Sequence, residues 1–504
     1  MEFGETFRRI NPVNNKRNLK IFLFYFVVGL LGYSSILTSH YIYNDDFCRY
    51  ILNYTCGVNN RFANTVLEYL MFLCPRVFDV APFSQIVSCA VLAFTALVCL
   101  RICCKTVDRC SICLFATVIV NPFVVENMLF RFDNQFMLFA LLCSVMAAYV
   151  SVMDDLRNLL LQTALLFGSL LLYQGALPAY FTIFLYLLLR KVSHGGKFLH
   201  CVTFAKLWIY TMGITAVLYA PVAYNLNYVH RNRKAFEGSN LWGYMEFVWK
   251  RIGGYFTEIY VNWNHTIVGQ ISFLFIVGFL IHLLMETWKY KSSGIDFARR
   301  CLVISPLFFL FLLSPAGLTI LFNHAGNYAA GEFPPRVIYS APIVIALALE
   351  GAQPLFSKIY LLRTFSKVFA GIFLLWNISF TNLTGNLLER QFNIQNDIAK
   401  DIAEDLYNIK NHCDYRIAVK YPYPTFWPAF VGAFEEYPVL KIILGYQWHR
   451  PIFCNVLLRY NGRWYPRIFG QESISDKAIR LADRMWYALY ADGDTLIIEL
   501  KPSL

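Results

Sequence analysis

Apolar runs of about 20 residues recur along this chain, and they constrain its fold before any motif does. A helix crossing a bilayer needs about 20 mostly apolar residues. Spans of that kind are expected at 20–39, 82–102, 111–127, 135–153, 158–173, 176–190, 206–225, 267–287, 302–321, 336–353 and 366–382, eleven in all. Composition agrees: of 504 residues, 57% are hydrophobic and 15% charged, where soluble domains carry roughly 25% charged residues. A soluble chain with these runs would need many helices apolar on every face. The run Ile21 to Leu37 is too long for a secretory signal and has no good cleavage pattern after it, so it reads as a retained first span. Residues 158–190 form one apolar stretch broken only by "YQGALP", where Gly175 and Pro178 permit a turn. A tight hairpin and a broken helix both fit.

Sidedness follows from Lys and Arg in the short loops. With residues 1–19 in the cytoplasm, the cytoplasmic segments hold 20 basic residues and the opposite loops before residue 385 hold 10. Eleven spans then put the carboxyl end outside, in the periplasm of a Gram-negative cell. The net charge of +12 is spread over loops between membrane segments. It implies membrane lipids as partners and not nucleic acid. Residues 20–384 are the membrane domain, and 385–504, with 14 acidic and 14 basic residues, read as a soluble domain. There the periodicity predicts a helix over 386–411, strands at "YRIAVKY" and "DTLIIEL", and shorter helices at "WPAFVGAF" and "KAIRLADRMWYALY". A small α/β layer structure is expected. Cys413 and Cys454 would be able to pair in an oxidising compartment, and Cys48 with Cys56 less readily. The seven cysteines at 89, 99, 103, 104, 110, 113 and 143 lack zinc-site spacing and read as small apolar filler or free thiols.

The expected external loops, 40–81, 121–134, 226–266 and 322–336, carry the unusual chemistry. The first opens with adjacent acids, Asp45 and Asp46, followed by Arg49. Its "RFANTVLEYLMFL" suits an amphipathic helix on the membrane surface, begun by Arg61. The second places Glu126, Arg131 and Asp133 at the membrane boundary, where charges are costly unless paired or wet. A simple Arg131–Asp133 or Arg131–Glu126 pair closing the loop weighs equally with a site. The third is basic and aromatic, with "HRNRK", Trp263 and His265. Basic residues on the translocated side invite an anionic partner such as a lipid or sugar phosphate, while each Trp also fits an interfacial belt. In the fourth, Pro334 and Pro335 set Arg336 at the start of a span, ready to fork onto a phosphate; a snorkelling anchor is the plainer reading. Acids near the cytoplasmic ends aside, the polar centre lies at the external surface. That points to a reaction between a lipid-borne substrate and something outside.

Five stretches occur in order: "YNDDFCRY" at 43–50, "NNRFANTVLEYL" at 59–70, "NPFVVENMLFRFDNQFML" at 121–138, "LLYQGALPAY" at 171–180 and "FPPRVIYSAP" at 333–342. Together they resemble the GT-C glycosyltransferases, and more narrowly the phage-derived serotype-converting glucosyltransferases that decorate bacterial O-antigen. Members often show Gly before the Arg of the second stretch; here Asn60 precedes Arg61. The resemblance implies a polytopic all-helical GT-C bundle with a small extracytoplasmic α/β domain, in the bacterial inner membrane. It implies transfer of glucose from undecaprenyl phosphate-glucose to O-antigen or a similar lipid-linked glycan, with inversion. The donor would come from a separate synthase and flippase. Asp46, or else Asp45, would be the general base. Arg336, Arg131 and Arg61 would hold the leaving phosphate, with Glu126, Asp133, Tyr173, Gln174, Trp263 and His265 as further binding candidates. A divalent cation, Mg or Mn, is compatible with Asp45 and Asp46 but not demanded by them. The main competing class is a lipid-linked saccharide flippase or transporter. It would want polar residues lining the spans and internal pseudo-repeats, and no clear repeat is seen. A structural protein would not need acids and arginines gathered in four loops on one face.

Overall fold

The computed structural model describes residues 15–43, 46, 49, 62–74, 76–104, 106–151, 158–195, 198–225, 241–257, 259, 263, 266–291, 293–321, 335–409, 416–420, 428–444, 474–493 and 495–501. The chain divides into two compact units, one of residues 1–37 and 52–383 and the other of residues 38–51 and 384–504. The first is helical, with α1 (Lys16–Gly32), α2 (Phe62–Phe72), α3 (Phe83–Cys103), α4 (Arg109–Ala116), α5 (Pro122–Leu129), α6 (Asn134–Ser151) and α7 (Leu159–Leu172). There follow α8 (Leu177–Ser193), α9 (Phe198–Asn225), α10 (Leu241–Phe256), α11 (Ile267–Lys289), α12 (Gly294–Leu313), α13 (Ala341–Phe356) and α14 (Tyr360–Tyr407). Among the described residues, six helical stretches are long and apolar enough to cross a membrane: Phe83–Cys103, Asn134–Ser151, Gln174–Ser193, Ile267–Lys289, Gly294–Gly317 and Tyr360–Tyr407. The apolar helices Leu159–Leu172 and Ala341–Phe356 are shorter. This is a polytopic, largely helical membrane protein. In its core α3 packs between α1 and α6, α6 against α7 and α8, α8 against α12, and α11 against α13. The cysteines at 89, 99, 103, 104, 110, 113 and 143 are free thiols.

The expected span at 111–127 is not one helix. α4 ends at Ala116 and α5 begins at Pro122. Pro122 lacks a backbone donor, which costs nothing in a first turn, where that N–H would be unpaired anyway. Asn121 caps that turn, its side chain accepting from the Phe123 N–H. The linking residues keep tight i→i+3 bonds, with the N–H groups of Thr117, Val118 and Ile119 reaching Leu114, Phe115 and Ala116. The Tyr33 hydroxyl donates to the Ile119 carbonyl at 2.7 Å. Gly32 lets α1 press against this break, because a Cβ there would collide with Val120. At "YQGALP" the hairpin is what forms. α7 stops at Leu172, one short turn covers Gln174–Ala176, and α8 starts at Leu177.

The second unit holds β1 (Arg416–Lys420), α15 (Pro428–Glu436), α16 (Pro438–Leu444), β2 (Ile479–Asp483), β3 (Tyr487–Asp492) and β4 (Thr495–Leu500). The sheet order is β1-β4-β3-β2, with β1 parallel to β4 and the other pairs antiparallel. The expected strands at 415–421 and 494–500 and the helix at 427–434 form. The expected helix at 477–490 does not; it is the β2–β3 hairpin. Its Ala, Leu, Arg and Met favour helix locally, but β4 pairs with β3 along its length and buries Tyr487, Ala488 and Leu489. Asp405 on α14 holds the hairpin, accepting from Arg484 Nε at 2.9 Å, Arg484 Nη2 at 2.6 Å and Tyr487 Oη at 2.7 Å. The helix expected at 386–411 is the far part of α14, continuous with the last span. Its 48 residues reach about 72 Å at 1.5 Å per residue, against a hydrocarbon core of about 30 Å. Cys48, Cys56, Cys413 and Cys454 lie outside the described residues.

Asp405→Ala is expected to lower stability by about 1–3 kcal/mol, because it strips the acceptor from the hydroxyl of the buried Tyr487. The exposed Arg484 adds little to that. Thermal unfolding in detergent checks this, and a wild-type melting temperature would refute it.

Candidate active site

α5 is buried at all eight of its positions, and Glu126 is among them. A carboxylate in such surroundings is costly unless it is paired and hydrogen-bonded. Arg336 supplies both contacts. Its backbone N–H donates to Glu126 Oε2 at 2.9 Å, and its Nη1 lies 3.6 Å from Glu126 Oε1. The Arg336 carbonyl accepts from the Tyr173 hydroxyl at 3.0 Å and from Asn127 Nδ2 at 3.5 Å. Both backbone polar groups of Arg336 are therefore held. The guanidinium lies 5.7 Å from the Phe130 ring centre, within cation–π reach, and the side chain stays 22% exposed. Arg336 sits in a short 3-10 turn, Pro335–Val337, ahead of α13.

Tyr173 is placed by the α7–α8 turn. A Cβ at position 175 would lie 2.7 Å from Tyr173 Cε1, so Gly175 is what lets the ring fold back. The ring packs 5.6 Å from that of Tyr339, whose hydroxyl donates to the Met137 carbonyl at 3.2 Å. Gln174 Nε2 donates to Tyr219 Oη at 2.6 Å. Glu126, Tyr173 and Arg336, expected from three separate loops, are thus brought together. Sequence reasoning missed Asn127, Phe130 and Tyr339 beside them. Asn127 and Phe130 follow Glu126 by one residue and by one helical turn, which was the available signal.

Arg131 closes on Asp79, a partner outside the local choice of Asp133 or Glu126. Its Nε lies 3.2 Å from Asp79 Oδ1 and its Nη2 3.0 Å from Oδ2, a fork-on-carboxylate geometry. The Arg131 carbonyl accepts from Ser84 Oγ at 2.8 Å, tying the pair to the start of α3. Asp133 is buried, and its carbonyl accepts the Met137 N–H that opens α6. Trp263 is 3% exposed and packs edge-on to Phe123 and tilted to Phe373. That ring is part of a core and shows no open face.

The second unit carries its own charged cluster. A strap from residue 39 to residue 43 lies along one turn of α14. Ser39 Oγ and the His40 N–H both donate to Glu389 Oε2, at 2.9 Å and 2.8 Å. The Tyr41 ring meets Phe392 edge-on, and the Tyr43 hydroxyl donates to the Ile443 carbonyl at 2.7 Å. Beyond the strap the Asp46 N–H donates to the Tyr43 carbonyl at 3.1 Å. Asp46 and Arg49 are 0% and 1% exposed, with Arg49 Nη1 3.7 Å from Asp46 Oδ1. Asp45, Arg61 and His265 lie outside the described residues. Among the described residues no cluster of three or more His, Cys, Asp or Glu side chains fits a metal ion. The neighbour of Asp46 is a guanidinium, which competes with a divalent cation for the carboxylate.

A family model described as Glucosyl transferase GtrII matches residues 34–347. Among curated proteins, the chain is 28% identical over 124 residues to an uncharacterized 55.3 kDa protein in the gtrB 5' region of Salmonella phage P22. That alignment covers 24% of this chain and 25% of the phage protein. No solved structure matches the chain.

The Glu126–Arg336 lock generates a graded expectation. Glu126→Gln keeps an acceptor for the Arg336 N–H and loses the charge, whereas Glu126→Ala leaves a buried donor unmet at a cost of about 1–3 kcal/mol. Melting temperatures should fall in the order wild type, Gln, Ala. An Ala variant as stable as wild type would refute the lock.

Proposed function

The chain belongs to the glucosyl transferase GtrII family, a GT-C type glycosyltransferase family, and from that premise we propose an inverting glycosyl transfer at the outer face of the bacterial inner membrane. The donor is a polyprenyl-phosphate sugar, undecaprenyl phosphate-glucose, and the acceptor is a hydroxyl of O-antigen or a similar lipid-linked glycan. A separate synthase and flippase deliver the donor. The proposed topology has eleven spans, a cytoplasmic amino end and a periplasmic carboxyl unit. What carries the reading is that the matched segment, 34–347, contains both Asp46 and the Glu126–Arg336 lock.

Asp46 takes the role of general base. It removes the proton from the acceptor hydroxyl as the oxygen attacks the anomeric carbon. The carbon–oxygen bond to phosphate breaks on the opposite face, which inverts the centre, and the electron pair leaves with the polyprenyl phosphate. An ordinary Asp, with a pKa near 3.9, is a weak base at neutral pH. Positioning must then supply much of the rate, through the effective concentration of a held hydroxyl. Arg49 beside Asp46 orients the carboxylate. Arg336 takes the role of phosphate partner, because a guanidinium whose backbone is fixed can meet developing charge without rearranging. Glu126, Asn127 and Tyr173 are positioning residues for it, and Arg131 with Asp79 holds the neighbouring loop.

Purified protein in nanodiscs, given radiolabelled undecaprenyl phosphate-glucose and the host's lipopolysaccharide or lipid-linked O-antigen, tests this directly. Asp46→Asn alone removes the carboxylate charge beside the buried Arg49, so the informative variant is Asp46→Asn with Arg49→Gln, which removes both charges of the pair. It should stay folded and lose transfer by at least a hundredfold, in line with general-base contributions of about 10²–10⁴. Transfer near the wild-type rate would end the base assignment. Arg336→Ala keeps the backbone bond to Glu126 and should raise the donor KM more than the acceptor KM. An unchanged donor saturation curve would end the phosphate role. Wild type inert toward every donor and acceptor, yet moving a lipid-linked saccharide between leaflets, would favour the flippase reading.

A further inference from the structure

α10 (Leu241–Phe256) has two faces of different kinds. On one, the buried Tyr255 donates its hydroxyl to the Leu312 carbonyl at 2.7 Å, and the Phe256 ring lies 5.6 Å from that of Phe309. The helix also packs on the Ser314–Leu321 turn. On the opposite face Trp242, Met245 and Trp249 recur at i, i+3 and i+7, one stripe of a helix. They are 82%, 55% and 72% exposed. Glu246 and Lys250 are exposed too, and they pair at 2.8 Å along one flank of the stripe.

Two tryptophans and a methionine in one exposed stripe are costly in water. The contacts of the buried face fix the level at which the stripe lies. Leu312 is one residue from the end of α12 at Leu313, and α12 belongs to the membrane-crossing stretch Gly294–Gly317. Phe309, which Phe256 touches, is itself 43% exposed, so the end of α10 sits on the flank of a lipid-crossing helix. α10 does not cross the bilayer itself. Its 16 residues reach about 24 Å at 1.5 Å per residue, short of a core of about 30 Å, and they include Glu246, Lys250 and Arg251. We propose that the Trp242–Met245–Trp249 face of α10 docks into the headgroup–acyl boundary of the bilayer, as an interfacial helix held to the bundle through Tyr255. Tryptophan suits that boundary, where its ring is apolar on one side and its N–H reaches water. The ion pair on the flank stays among the headgroups while the stripe beside it enters the outer acyl layer, about 5–10 Å deep. The inference does not depend on the sugar-transfer reading.

The full chain in nanodiscs is compared with the double variant Trp242→Phe, Trp249→Phe, which keeps the face apolar. The difference between their tryptophan emissions reports these two rings. Each single Phe variant gives the same readout one ring at a time, should the double variant fold poorly. In phosphatidylcholine brominated near the head of the acyl chain, that component should lose most of its fluorescence. Bromines near the chain end and iodide in the water should each quench it less. Strongest quenching by iodide would put the face in water and overturn the inference. Strongest quenching by the deep bromines would put it within the hydrocarbon core, against an interfacial position. A component that no quencher reaches would mean that protein covers the face. A second copy of the chain would be that cover if quenching returns in discs holding one chain, and the docking to lipid would be overturned in either case.

Discussion

Lipid offers no hydrogen-bond partner to a peptide group, so a chain that leaves the helix inside a membrane must satisfy its backbone within protein. This bundle leaves the α-helix between Ala116 and Pro122, and over Ser314–Leu321 it passes into 3-10 turns kinked at Gly317. At the first break, short i→i+3 bonds, the Tyr33 hydroxyl and the Asn121 side chain take up backbone groups that a straight helix would have paired internally. At the second, Gly317 adopts φ +50°, where a side chain would be strained, and a Cβ there would lie 2.7 Å from Pro178. Both breaks depend on close helix approach, at Gly32 in one case and Gly317 in the other.

The first break is what allows an acid inside the bundle. An unbroken helix over 111–127 would have carried the chain onward in one line. A short α5 instead runs buried on every side and puts Glu126 beside the Pro335–Val337 turn. The pairing then works in both directions. Arg336 meets the buried Glu126 charge, and Glu126, Tyr173 and Asn127 hold the Arg336 backbone. A pair of this type contributes little net stability compared with an apolar replacement. Its value is geometric, since it fixes the backbone that carries the Arg336 guanidinium.

The apolar runs were legible because lipid demands a local pattern, and a local pattern can be read from a local window. The strands at Arg416–Lys420 and Thr495–Leu500 were legible for the same reason, with their β-branched residues in short runs. The reading failed where a distant partner decides. Ile479–Asp492 looks helical by composition and becomes a hairpin because β4 and Asp405 are there to receive it. Glu126 and Arg336 could each be singled out, but their contact across 210 positions could not. Asp79 as the partner of Arg131 and the Tyr173–Tyr339 packing were hidden in the same way.

The strap from residue 39 to residue 43 follows the first helix in sequence, yet it belongs to the carboxyl unit by its bonds to Glu389, Phe392 and Ile443. Each of those bonds uses a different chemistry: a carboxylate taking two donors, an aromatic edge, and a backbone carbonyl. A segment held in three ways has little freedom to shift, and the turn closed by the Asp46 N–H on Tyr43 transmits that rigidity to the acid. The carboxyl unit is therefore more than an appendage to a membrane enzyme. By those bonds it holds the segment that leads to Asp46.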